Sequence, residues 1–150
     1  MNRHGLPRTR RHRRIFVDTS AYQAILAEND THHATAAAVL ARLIGSGYQF
    51  VTTNAVLFEA HALIMSTQGI AVAGRFLHQT YASATAIVRV RASDEEQARA
   101  IIAQYDDKDF SYTDALSFAV MTRLDLRLAF TFDRHFSQYG FAQLAPDTPR

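Results

Sequence analysis

Ile15-Phe16-Val17-Asp18-Thr19-Ser20 is the stretch on which the fold turns: three apolar residues stopped at once by an acid and two hydroxyls. A short continuous apolar run with polar ends is the pattern of a strand buried on both faces, as in a parallel sheet. Similar runs recur at 49–53, 86–90 and 128–132, and a last one at 141–144. Between them the apolar residues take a helical period over 21–26, 32–44, 55–67, 70–81, 93–105 and 111–124, with a short segment at 134–139. Strands alternating with helices predict an α/β domain on a mostly parallel sheet. The punctuation agrees: Gly45 and Gly47 close one helix, Asn54 is the expected N-cap and Gly69 the stop of the next, and Ser93 with Glu96 reads as a capping box.

The chain has 150 residues, enough for one domain that buries roughly two thirds of its unfolded surface without disulfide or structural metal. It has no cysteine, which excludes thiolate zinc sites, redox motifs and a cysteine nucleophile, and suits a reducing cytoplasm. No stretch approaches the ~20 apolar residues of a membrane helix, and the N-terminus lacks the apolar core of a secretory signal. The expected location is therefore cytoplasmic. The formal charge of +2 is uneven, because Arg3, Arg8, Arg10, Arg11, Arg13 and Arg14 precede the first apolar run and every acid follows it. Residues 1–13 are expected to be a disordered basic tail, and 14–150 a single domain of mildly acidic character.

Four acids stand out. Glu59 is the only formally charged side chain between Val51 and Gly74, inside the apolar run Ala55-Val56-Leu57-Phe58-Glu59-Ala60. A helix apolar on all sides is buried, and a buried carboxylate needs a cationic partner or a proton. Asp114 fits a capping box with Ser111, yet it shares a stripe with Phe118 and Met121 at i, i+4 and i+7, which should face the core. Asp18 and Asp133 each follow an apolar strand, and in open α/β sheets ligands bind beyond the carboxyl ends of strands, where strand order reverses. If these acids converge they repel unless a cation neutralises them, and an all-oxygen donor set suits Mg²⁺ or Mn²⁺. Such ions activate water for attack on phosphodiesters.

The motifs resemble those of PIN-domain ribonucleases, of the kind that act as VapC toxins in bacterial toxin–antitoxin pairs. The carriers are Phe16-Val17-Asp18-Thr19-Ser20-Ala21, Thr52-Thr53-Asn54 through Glu59, Asp109-Phe110-Ser111-Tyr112-Thr113-Asp114-Ala115, and Thr131-Phe132-Asp133-Arg134-His135-Phe136. The resemblance covers about residues 14–145. It implies a PIN-like three-layer sandwich with a five-stranded parallel sheet of order 3-2-1-4-5. It further implies Asp18, Glu59, Asp114 and Asp133 as the quartet that binds Mg²⁺ or Mn²⁺, RNA as substrate, a homodimer, and inhibition by a cognate antitoxin. Ser20 and Thr131 are implied as outer contacts to the metal shell or the substrate phosphate, with Asn54, His135 and Asp109 as further candidates.

Other readings fit less well. A non-catalytic RNA-binding module of the same fold is the nearest alternative, but it would be expected to have lost an acid. A phosphorylation-controlled receiver domain needs a lysine at a strand end, and the sole lysine is Lys108 in a polar loop. A dehalogenase-like phosphatase would carry Asp-x-Asp after its first strand, where this chain has Asp18-Thr19-Ser20. The histidines His4, His12, His32, His33, His61, His78 and His135 lack the paired spacing of a zinc helix.

The arginine tail generates the first prediction. Deleting residues 2–13 is expected to weaken RNA binding and to flatten its salt dependence without moving the cut. The slope of log affinity against log salt should fall by about 0.7 for every single-strand phosphate that the tail neutralises. Cleavage mapping and a binding titration over a salt series check this, and a moved cut would contradict it.

Overall fold

The computed structural model describes residues 13–144, so the expected tail up to residue 12 and the expected frayed end at Pro146 and Pro149 lie outside the described residues. Chain order runs β1 (Arg14–Val17), α1 (Thr19–Leu26), α2 (His33–Gly45), β2 (Gln49–Thr53), α3 (Asn54–Gln68) and α4 (Ile70–Ala82). It continues with β3 (Ala86–Val88), α5 (Ala92–Gln104), α6 (Tyr112–Arg123), β4 (Leu128–Phe130), α7 (His135–Tyr139) and β5 (Ala142–Gln143). The five strands form one sheet of order β3-β2-β1-β4-β5, every pair parallel. Phe16 pairs with Val51 on one side and Ala129 on the other, so β1 is central. The order reverses between β1 and β4, the switch point beyond whose carboxyl ends open α/β sheets bind ligands.

Side-chain alternation along β1 divides the core between the two faces of the sheet. Phe16 packs with Val51, Ile101, Phe118, Met121 and Phe136. Ile15 and Val17 pack with Ala36, Val39, Leu43 and Phe130. A third cluster, Leu57, Ala60, Ile64, Ala73 and Phe76, joins α3 to α4. Among the described residues no helix is long and apolar enough to cross a membrane.

Several expected boundaries shift for identifiable reasons. Helix α3 is capped by Thr53, whose hydroxyl accepts the Val56 N–H, and not by Asn54, whose side-chain oxygen accepts the Val90 N–H instead. The Ser93–Glu96 capping box does not form. Helix α5 starts one residue earlier, and Asp94 takes the N3 role by accepting the Arg91 N–H at 2.9 Å. Asp94 also receives two 2.8 Å bonds from Arg123, which clasps α5 to α6. The strand expected over 128–132 ends at Phe130, because the next residues turn their polar groups toward the β1–α1 junction.

Phe118 is fully buried and packs edge-on against Phe110 and Phe136 and face-on against Tyr139. Phe118→Ala is expected to destabilise the fold by about 3–5 kcal/mol. Urea denaturation checks it, and a loss below ~1 kcal/mol would mean this aromatic cluster does not hold α6 on the sheet.

Candidate metal centre

Asp18 sits directly after β1 as the N-cap of α1, and only 3% of it is exposed. Its Oδ2 accepts from the hydroxyls of Ser20 and Thr131, each at 3.0 Å, and from the Ser20 N–H at 3.4 Å. The two hydroxyls lie 3.1 Å apart. Thr131 Oγ1 also accepts the Asp133 N–H, and Ser20 Oγ accepts the Phe132 N–H. One small hydroxyl network thus ties the end of β1 to the segment after β4 and fixes both strand-end acids.

Asp114 enters from the first turn of α6. Its Oδ2 accepts the Ser111 N–H at 3.0 Å while Ser111 Oγ accepts the Asp114 N–H, so the expected capping box forms. The same Oδ2 lies 2.9 Å from His135 Nδ1. Asp133, half-buried, accepts the His135 N–H on Oδ1, and that oxygen is 3.3 Å from His135 Nδ1. Asp114, Asp133 and His135 each offer a ligand atom within 4.8 Å of the others. The Gln143 side-chain amide closes the loop by donating to the Asp133 carbonyl at 2.8 Å.

Burial and mutual repulsion disfavour the charged forms of Asp18 and Asp114. Burial pushes the Asp18 carboxyl up to about 6, with the neighbouring Asp114 adding to the rise and the bonds from Thr131 and Ser20 opposing it. Burial likewise raises Asp114, with Asp133 contributing in the same direction and Ser111 and His135 opposing. Among the described residues the protein's hydrogen bonds fall on one oxygen of each carboxylate: Oδ2 of Asp18 and Asp114, Oδ1 of Asp133. Hard oxygen donors in a partly dehydrated crevice, destabilised by one another, fit Mg²⁺ or Mn²⁺.

The remaining candidates fall elsewhere. Glu59 is exposed, against the expectation of burial. The helix that carries it is not enclosed: Val56, Leu57, Ala60 and Ile64 face inward, while Phe58 is 67% exposed and Leu63 and Met65 also meet solvent. Asn54 is occupied at the β3 end, and Asp109 is exposed in the loop before α6. His135, a candidate for an outer contact, lies against two of the carboxylates. Its position two residues after Asp133 was the signal that made it a candidate.

A family model described as the PIN domain matches residues 15–142. The chain belongs to the PIN-domain family. It is 34% identical over 134 residues to the 23S rRNA-specific endonuclease VapC20 of Mycobacterium tuberculosis, covering 89% of this chain and 99% of that relative. The crystal structure of M. tuberculosis VapC20, described as a sarcin–ricin loop cleaving toxin, superposes with a TM-score of 0.80 at 33% identity over 88% of this chain and 99% of that one. FitAcB from Neisseria gonorrhoeae, at 16% identity and a TM-score of 0.61, over 86% of this chain and 95% of its own, shares the fold.

Because Asp18 holds its proton more tightly when folded than at its ordinary value of 3.8, the metal-free fold loses stability as pH rises from about 4 to about 6 and carries the full penalty above. Asp18→Asn is therefore expected to stabilise metal-free protein at pH 7.5 by up to about 3 kcal/mol, a gain that shrinks toward zero near pH 4. Thermal melts in chelator across this range check it, and a gain independent of pH would show that the Asp18 charge is not the cause.

Proposed function

We propose that this PIN-domain chain is a metal-dependent endoribonuclease, the toxin of a type II toxin–antitoxin pair, acting on 23S ribosomal RNA at the sarcin–ricin loop. The observation that supports the reading is the cluster of Asp114, Asp133 and His135, with Asp18 tied to the Asp133 segment through Thr131 and raised by its burial and by Asp114. The substrate is inferred from VapC20, to which the resemblance extends over nearly its whole length.

In this reading Asp18, Asp114 and Asp133 hold Mg²⁺ or Mn²⁺, and Glu59, exposed on the second turn of α3, is a fourth ligand on the strength of the motif resemblance alone. The ion, when bound, supplies charge stabilisation on the attacked phosphate and a water acidic enough to attack it. The chain's own residues do the positioning. Thr131 and Ser20 hold Asp18 by one oxygen, and Ser111 and the helix start hold Asp114. His135 spans Asp114 and Asp133 and sets the separation of their carboxylates. The enzyme works in the cytoplasm as a homodimer held inactive by its antitoxin. Exposed apolar residues on α3 and α4, Phe58, Ile70 and Tyr81, support such partners.

Purified protein is expected to cut a sarcin–ricin loop hairpin in Mg²⁺ or Mn²⁺ and to stop in chelator. Asp18→Asn and Asp114→Asn should each lower the rate at least about a hundred-fold, since the ion supplies several kcal/mol of charge stabilisation. Glu59→Gln should weaken Mn²⁺ binding in a calorimetric titration. Metal-dependent cutting retained in both Asn variants would place the active site elsewhere.

A further inference from the structure

Between Thr131 and Asp133 the chain carries Phe132, one half of an aromatic pair that has no part in holding the carboxylates. The rings of His32 and Phe132 are stacked, centroids 4.5 Å apart and planes 18° from parallel. Phe132 stands between Thr131, which bonds Asp18, and Asp133, and its own N–H is fixed by Ser20 Oγ. Its ring packs on the α1–α2 side of the core and tilts against buried Phe130. His32 is the N-cap of α2 yet makes no capping bond with its side chain. That position favours Ser, Thr, Asp or Asn, so a ring placed there and laid on Phe132 departs from what the helix asks for. The backbone holds it in place: Asp30 Oδ1 accepts the His32 N–H at 2.8 Å, the Asp30 carbonyl accepts the His33 N–H, and His33 Nδ1 lies 2.9 Å from the Ala24 carbonyl. Both stacked rings are half-buried, and the backbone of Phe132 is tied through Ser20 to Asp18.

Unpaired RNA bases are recognised by stacking on aromatic side chains, histidine included, and the interaction tolerates any base because each has a π-face. Resting on the nuclease reading above, we propose that the His32–Phe132 stack is the platform on which a nucleobase adjoining the cleaved phosphate packs, which orients the RNA strand over the carboxylates. His32 forms the outer leaf and Phe132 the inner one. This makes His32 a substrate-positioning residue, separate from the metal ligands.

The probe is a sarcin–ricin loop hairpin with 5-iodouridine substituted in turn at the positions flanking the cut. In the Asp18→Asn protein, irradiation is expected to cross-link one of these positions to His32 or Phe132, mapped by mass spectrometry, and the adduct should vanish in Asp18→Asn/His32→Ala. In the otherwise unaltered enzyme, His32→Ala should raise KM about ten-fold with kcat within about two-fold and Mn²⁺ affinity unchanged. His32→Tyr, which restores a stackable ring, should recover most of the loss. Cross-links that avoid both rings, or an unchanged KM in His32→Ala, would overturn the platform. So would a parallel fall in kcat and Mn²⁺ affinity, because that marks a purely structural residue. Cross-linking needs no turnover, so failure of the nuclease reading shows separately, as hairpin left uncut by the unaltered enzyme in Mn²⁺.

Discussion

The structure depends on one unfavourable act, the withdrawal of the Asp18 carboxylate from water at the place where the sheet reverses its order. Nothing in the apolar core requires an acid there. Its burial is tolerated because Thr131 and Ser20 donate to one of its oxygens, and those two hydroxyls in turn receive the backbone of the segment after β4. The strand stops at Phe130 for that reason. What looks like a short β4 is the backbone being taken over by the site.

Asp114 shows how one side chain serves two purposes. Its Oδ2 completes the capping box of α6 and also meets His135, while its charge helps to raise Asp18. The helix start and the contact to His135 therefore share one oxygen, and α6 is held in turn by Phe118 and by the Arg123–Asp94 clasp to α5. A carboxylate anchored this way costs little further ordering when an ion arrives, because the rotamer is already chosen.

Much of this was legible from the chain. The apolar run ending in Asp18 and the alternation of strand and helix periods led to a parallel α/β sheet, the resemblance to PIN domains supplied its strand order, and the Ser111–Asp114 box formed as expected. Glu59 was misjudged because an apolar run was equated with burial. Helix α3 keeps Phe58, Leu63 and Met65 at the surface, where periodicity cannot tell a core face from a face kept for a partner. Thr53 displaced Asn54 as a cap because Asn54 had a distant backbone N–H to meet, and the closeness of His135 to Asp114, 21 residues away in sequence, depends on α6 and α7 packing side by side. These are tertiary choices that local pattern does not encode.

The final strand has more leverage than its two residues indicate. β5 sits at the sheet margin, paired only to Leu128 and Ala129, yet the Gln143 amide grips the carbonyl of Asp133. Anything that peels this margin away, whether a protease or a tag appended close behind it, would slacken the hold on the fourth acid while leaving the interior intact. A protein so altered would keep its core and still have a loosened acid cluster.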